Sequence, residues 1–219
     1  MTLLAGLDIA TTTGIAIIRG DHLVFTDHRR FVDDDDNDDG AVFYRAAKWL
    51  SEIMGRFDVT EMAVEETLRT NSTRSKMVQG PDGPKKVSKP IGTDRTYKRL
   101  GGLRGVMLLA LRDEALRRQS QGRGLSYREV NVRTWRSGVY GKCSPPKTVS
   151  DSDRSKWWKQ KALAQCKLFR WDITQTDAAE AAMIAEWLRI TRKQERLGFM
   201  AKDDAPDLFG PKKKMETPF

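Results

Sequence analysis

The sequence predicts an α/β domain built on a mixed five-stranded sheet with helices on both faces. Three observations predict it. Apolar runs of strand length recur along the chain. The first three follow one another with only turn-type residues between them, as antiparallel neighbours do. From residue 41 onward, segments of helical apolar period alternate with further strand-like runs, the mark of parallel crossovers. A hairpin that enters such an alternation gives a sheet of mixed direction.

Residues 3–10 read as a buried strand, and Gly14-Ile15-Ala16-Ile17-Ile18-Arg19 reads as its hairpin partner across Thr11-Thr12-Thr13-Gly14. Residues 22–32, with Leu23, Phe25 and Phe31, give a third strand. The acidic run from Asp33 to Asp39 reads as a solvated loop. In 41–57, Val42, Phe43, Ala46, Trp49, Leu50, Ile53 and Met54 share one helical face. Residues 59–66 give a fourth strand. Across 67–97 apolar periodicity is lost and Gly, Pro, Ser and Thr dominate, so this segment reads as a long basic loop. A helix from about 94 to 119 has the apolar centre Leu100, Leu103, Val106, Met107, Ala110 and Leu111, with Gly101, Gly102 and Gly105 permitting close helix contact. Residues 126–132 give a fifth strand and 133–141 a short helix or turn. Asp151-Ser152-Asp153-Arg154 offers N-cap chemistry for a helix over 154–169, and a last helix covers about 175–196. The expected organisation is one domain over 1–197 and a flexible tail over 198–219.

Composition narrows the function. Thirty-nine Lys and Arg against 30 Asp and Glu give a net charge of +9, which favours a polyanionic partner such as nucleic acid. The two cysteines, Cys143 and Cys166, form neither a zinc pattern nor a disulfide framework, and two histidines, His22 and His28, are too few for a histidine metal centre. A metal, if held, is held by oxygen, which suits Mg2+ or Mn2+. No apolar stretch reaches the roughly 18 residues that span a bilayer, and no signal peptide is read at the start, so a reducing, cytoplasmic compartment is expected.

Four carboxylates stand where apolar residues are the rule. Asp8 interrupts the first strand, Glu65 closes the fourth, and Asp177 and Glu180 lie three apart on one face of the last helix. Buried carboxylates need pairing or metal. Four that converge would repel one another, and divalent cations are the simplest compensation. Two cations about 3.5–4 Å apart would activate water and steady the leaving oxygen of a phosphodiester. Taken singly, each acid also has a plain structural role as a turn former or a helix N-terminal charge.

The motifs Gly6-Leu7-Asp8-Ile9-Ala10 with Thr13-Gly14, Ala63-Val64-Glu65-Glu66, Leu100-Gly101-Gly102-Leu103-Arg104-Gly105-Val106 and Thr176-Asp177-Ala178-Ala179-Glu180-Ala181 occur in that order. Together they resemble the RuvC family of Holliday junction resolvases, within the RNase H-like superfamily, over residues 3 to about 190. The resemblance implies an RNase H-like fold and a Mg2+-dependent (or Mn2+-dependent) endonuclease, with two ions per active site, working as a homodimer on branched DNA. Asp8, Glu65, Asp177 and Glu180 match the metal-binding acids. Arg133 and Lys156 fall near positions where the family places bases beside the scissile phosphate. Glu180 replaces an Asp common in bacterial members, and Leu68 stands near the position of an aromatic side chain that wedges into the junction. A phage-type member fits these departures.

DNA contacts are expected from Arg69, Arg74, Lys76, Lys85, Lys86, Lys89, Lys98 and Arg99, which crowd one segment. Trp157 and Trp158, set among lysines, could stack on bases or simply pack. Asp207-Leu208-Phe209 and Thr217-Pro218-Phe219 bear a short likeness to peptides that dock replication proteins. Leu7–Gly14 also resembles the first phosphate loop of actin-like sugar kinases, which need a second related domain. An RNA-processing nuclease of the same superfamily and a non-catalytic nucleic-acid binder are the other readings.

Overall fold

The computed structural model describes residues 2–31, 38–66, 73–81, 83–90 and 94–198. The first three strands are β1 (Leu3–Asp8), β2 (Thr12–Arg19) and β3 (His22–Arg30), followed by α1 (Asp39–Arg56) and β4 (Val59–Glu65). Next come β5 (Thr73–Gly80), β6 (Gly83–Pro90), α2 (Asp94–Gln119) and β7 (Ser126–Val130). Three helices complete the chain: α3 (Val132–Tyr140), α4 (Arg154–Leu168) and α5 (Thr176–Arg196).

The main sheet has five strands in the order β3-β2-β1-β4-β7. β1 and β3 pair antiparallel to β2, whereas β4 pairs parallel to β1 and to β7. The mixed sheet expected from the sequence is therefore present. Alternation along β1 divides the core: Leu3, Ala5 and Leu7 pack with α1 and α2, and Leu4 packs on the opposite face with α3, α4 and α5. Among the described residues no helix is long and apolar enough to cross a membrane.

The expected loop over 67–97 needs correction. β5 and β6 form an antiparallel hairpin, a two-stranded sheet separate from the main one, with Thr73 opposite Pro90 and Gly80 opposite Gly83. Its strands carry little apolar alternation, which hides them from a periodicity reading. In the sequence, Gly80-Pro81-Asp82-Gly83 is the signal of a hairpin here, since Gly, Pro and Asp favour turns. The acidic run is in part a helix start: Asp38 caps α1, its side chain accepting from the Ala41 N–H at 3.1 Å. By contrast, Asp153 precedes α4 in a helical conformation and makes no side-chain cap hydrogen bond. Of the three glycines in α2, only Gly102 makes a close contact, against the ring of Phe43; Gly101 and Gly105 face open space.

Two further glycines decide where α5 sits. A Cβ on Gly6 would collide with the backbone of Ala181 and Ala185, and a Cβ on Gly14 with the backbone of Asp177 and Ala178. The helix answers with small residues: Ala178, Ala179, Ala181, Ala182 and Ala185 are all buried. Backbone thus rests on backbone, and α5 crosses β1 and β2 at closest approach. Gly6→Ala and Gly14→Ala are each expected to destabilise the protein by about 2–3 kcal/mol through overpacking, roughly a 5–10 °C fall in Tm by calorimetry. An unchanged Tm would show that the helix can shift to make room.

Candidate active site

The four acids meet where this seating brings them. Leu7 pairs with Val64 in parallel register, so the next residues, Asp8 and Glu65, end their strands at the same edge of the sheet. Asp8 follows Gly6 by two, and Glu65 follows Ala63 by two, so both project to the α5 face. Asp177 and Glu180 come from the first two turns of α5. One carboxylate oxygen each from Asp8, Asp177 and Glu180 lies within 4.8 Å of the others. Glu65 is adjacent, its charge acting on Asp8, and its Oε2 accepts from Trp135 Nε1 at 2.6 Å.

Two cations of the chain reach into the cluster. Lys159 Nζ donates to Asp177 Oδ1 at 2.7 Å, and Arg136 Nη2 donates to Glu180 Oε1 at 2.8 Å. The Arg136 guanidinium is held between aromatic rings, 5.1 Å from the Trp135 centroid and 4.8 Å from that of Trp158. Trp158 stacks in turn on Tyr140 at 5.7 Å. Gly138 lets α3 approach α5 closely, because a Cβ there would meet the Trp187 ring.

Burial and mutual repulsion shift these acids. Asp8, only 8 % exposed, is held well above the usual carboxylate range, first by burial and then by the charges of Glu65, Glu180 and Asp177. Glu65 is pushed up to about 7, chiefly by burial, although the Trp135 hydrogen bond opposes the rise. Glu180 is raised by burial against the pull of Arg136 and Lys159. A carboxylate raised in the folded state adds stability that is complete below its unfolded pKa and lost as pH rises through the folded value. In chelator, the Tm is therefore expected to fall between about pH 5 and pH 8, and Mg2+ to remove most of that fall. A flat or rising profile in chelator would contradict this charge balance.

The basic residues expected to meet DNA fall into separate groups. Lys85 on the hairpin and Lys98 on α2 are exposed, as are Arg133 on α3 and Lys156 on α4. Arg74, Lys76, Lys86 and Lys89 belong to the hairpin strands, but their side chains lie outside the described residues, as do Leu68, Arg69 and the whole of 199–219. Arg99 is 8 % exposed and pairs with Asp39 at 2.5 Å, tying α2 to the start of α1. Trp135, Arg136 and Lys159 carry contacts to the acids that the sequence reading assigned to no residue. Arg136 and Lys159 lie three positions, about one helical turn, beyond Arg133 and Lys156. Trp157 and Trp158 are both half-buried and meet edge to face at 4.8 Å.

No protein-family profile and no curated protein matches the sequence. Solved structures do match. Thermus thermophilus RuvC in complex with a Holliday junction substrate aligns with a TM-score of 0.57 and 12 % identity, over 91 % of this chain and 98 % of that one. A second Thermus thermophilus RuvC structure gives 0.58 and 13 %, over 90 % and 98 %. The chain has the fold of a RuvC-type resolvase. The yeast mitochondrial Holliday junction resolvase Ydc2 matches this RuvC-type fold at a TM-score of 0.51 and 10 % identity, over 88 % and 82 %. Identities this low establish the fold. The acidic cluster belongs to the elements that build the RuvC-type fold, at the meeting of β1, β4 and α5.

Proposed function

We propose that the protein is a metal-dependent endonuclease that cuts Holliday junctions and related branched DNA. The observation that carries this reading is the convergence of Asp8, Asp177 and Glu180, with Glu65 beside them, on a resolvase-type fold. The donor set fits a hard divalent cation: every candidate ligand is a carboxylate oxygen, and the buried acids repel one another. Asp8, Asp177 and Glu180 would hold Mg2+ or Mn2+, with Glu65 in reach of a second ion. When bound, such an ion supplies Lewis-acid stabilisation of the phosphodiester and acidifies water.

The chain's own residues do the rest. Trp135 fixes the Glu65 carboxylate by its indole N–H. Lys159 and Arg136 bring positive charge to the edge of the acidic cluster, where a scissile phosphate would approach. The basic hairpin and the start of α2 supply phosphate contacts that position a duplex arm without reading its sequence. A homodimer would present two such sites for paired cuts. It is supported by α2 and α1, which expose Leu109, Leu116 and Tyr44, the first and last of them beside an open groove.

The test is cleavage of labelled four-way, three-way, flap and linear DNA, with structured RNA alongside, in Mg2+ and in chelator. Metal-dependent cutting of four-way DNA in preference to linear duplex is expected. Cutting of RNA alone would move the assignment to an RNA-processing nuclease, and no cutting of any substrate would leave a binding protein.

A further inference from the structure

The register of the β5–β6 hairpin sorts its charges. Arg74 stands opposite Lys89, Lys76 opposite Val87, and Val78 opposite Lys85. Residues paired across an antiparallel ladder, and those two apart along a strand, share one face. That face therefore takes Arg74, Lys76, Lys85 and Lys89, with Val78 and Val87 among them. The other face takes Thr73, Ser75, Met77 and Gln79 against Pro90, Ser88, Lys86 and Pro84, one cation among eight positions.

Lysines on the edges of a small sheet often serve only to prevent pairing with other chains. Charges on either face would do that. Here four of the five fall on one face, and the arrangement works against the free protein. Like charges directly opposite each other, as Arg74 and Lys89 are in the register, are destabilising. A lone two-stranded ribbon is marginal in water. This one gains little from apolar burial, since Met77 is 60 % and Val78 43 % exposed. A polyanion laid on the cationic face removes the repulsion. Arg74 to Val78 spans about 13 Å of strand. That is close to the roughly 12 Å width of a duplex major groove, which admits a two-stranded ribbon.

We propose that β5–β6 is a one-sided duplex-binding ribbon: the face of Arg74, Lys76, Lys85 and Lys89 lies across a duplex arm and meets its phosphates, while the face of Met77, Gln79 and Lys86 is turned from the DNA. The proposal rests on the nuclease reading and deepens it by naming the surface that holds an arm. Lys86, grouped with the other bases by sequence alone, is set apart from them by register. Contacts of this kind add affinity for duplex of any sequence.

The experiment compares two neighbours of equal charge. Binding of the full chain to a fluorescent four-way junction, a linear duplex and a single strand is titrated in chelator at several salt concentrations. Lys85→Gln is expected to lower the salt slope on junction and linear duplex by about 0.9, the value of one phosphate contact to B-form DNA, and to weaken binding several-fold at low salt. Lys86→Gln is expected to shift the slope by less than a third as much. Lys85→Gln with Val78→Lys returns the charge to the same face and is expected to restore the slope. Lys85→Gln with Gln79→Lys returns it to the other face and is expected not to. Circular dichroism checks that each variant folds. Equal losses from Lys85→Gln and Lys86→Gln, or equal rescue from positions 78 and 79, would overturn the proposal by showing that net charge alone matters. No change from Lys85→Gln, or a loss confined to the single strand, would overturn it as well. If wild type cuts junctions in Mg2+ but its binding ignores the face, only the ribbon's assignment falls; if it cuts no DNA at all, the nuclease reading falls.

Discussion

Asp8→Asn is expected to lower junction cleavage by more than about 1,000-fold while leaving junction affinity within a few-fold. The reason for the first effect is position. Asp8 is the acid contributed by the central strand, and it shares the ligand cluster with both acids of α5. The reason for the second is that affinity for DNA resides in phosphate contacts made by cations, and Asp8 makes none of them. The same substitution should stabilise the metal-free protein. Burial and three neighbouring acids oppose ionisation of Asp8, and the amide removes that opposition at the same size. A gain of at least about 1 kcal/mol, roughly 2–4 °C in Tm at pH 8 in chelator, follows. Mg2+ should then raise the Tm of the variant much less than that of wild type. Cleavage at the wild-type rate by purified Asp8→Asn protein would remove the metal-centred reading altogether.

Replacing residues 73–90 by a short neutral linker is expected to weaken junction binding about 100-fold at low salt and to flatten its salt dependence by three to four units of slope, at roughly 0.9 per phosphate contact. The segment carries Arg74, Lys76, Lys85, Lys86 and Lys89 against Asp82 alone. It forms its own two-stranded sheet, so its removal leaves the five-stranded sheet and its hydrogen bonds in place. Titrations of a fluorescent four-way junction at several salt concentrations, with the Tm measured in parallel, make the comparison. Equal affinity and equal slope would show that the hairpin stands clear of DNA.

The sequence disclosed the main sheet well because its strands obey strong rules. Leu3 to Leu7 and Ile15 to Ile18 are apolar at almost every position, as central strands covered on both faces must be. It disclosed the acids because Asp8 and Glu180 sit in apolar company, where a carboxylate is conspicuous. It hid β5 and β6, whose sequences carry little apolar alternation. It gave no sign of the two cations that bond the acids, Arg136 and Lys159. Arg133 and Arg136 are equally basic to a reader of sequence, and only the packing of Trp135 and Trp158 singles out Arg136. The burial of Arg99 was hidden for the converse reason: a base in a basic segment looks solvated until Asp39 arrives from a helix 60 residues away.

The glycine seat of α5 has a consequence for how this protein can change. Where a helix rests on side chains, each substitution moves it by some fraction of an ångström, and whatever it carries drifts along. Here the bearing surface is peptide against peptide, whose dimensions no mutation in the surrounding layers can alter. The spacing between the strand acid and the helix acids works like a fixed gauge. Sequence on the far side of the sheet, in α1 and α2, is thereby free to diverge widely while the gauge holds its setting.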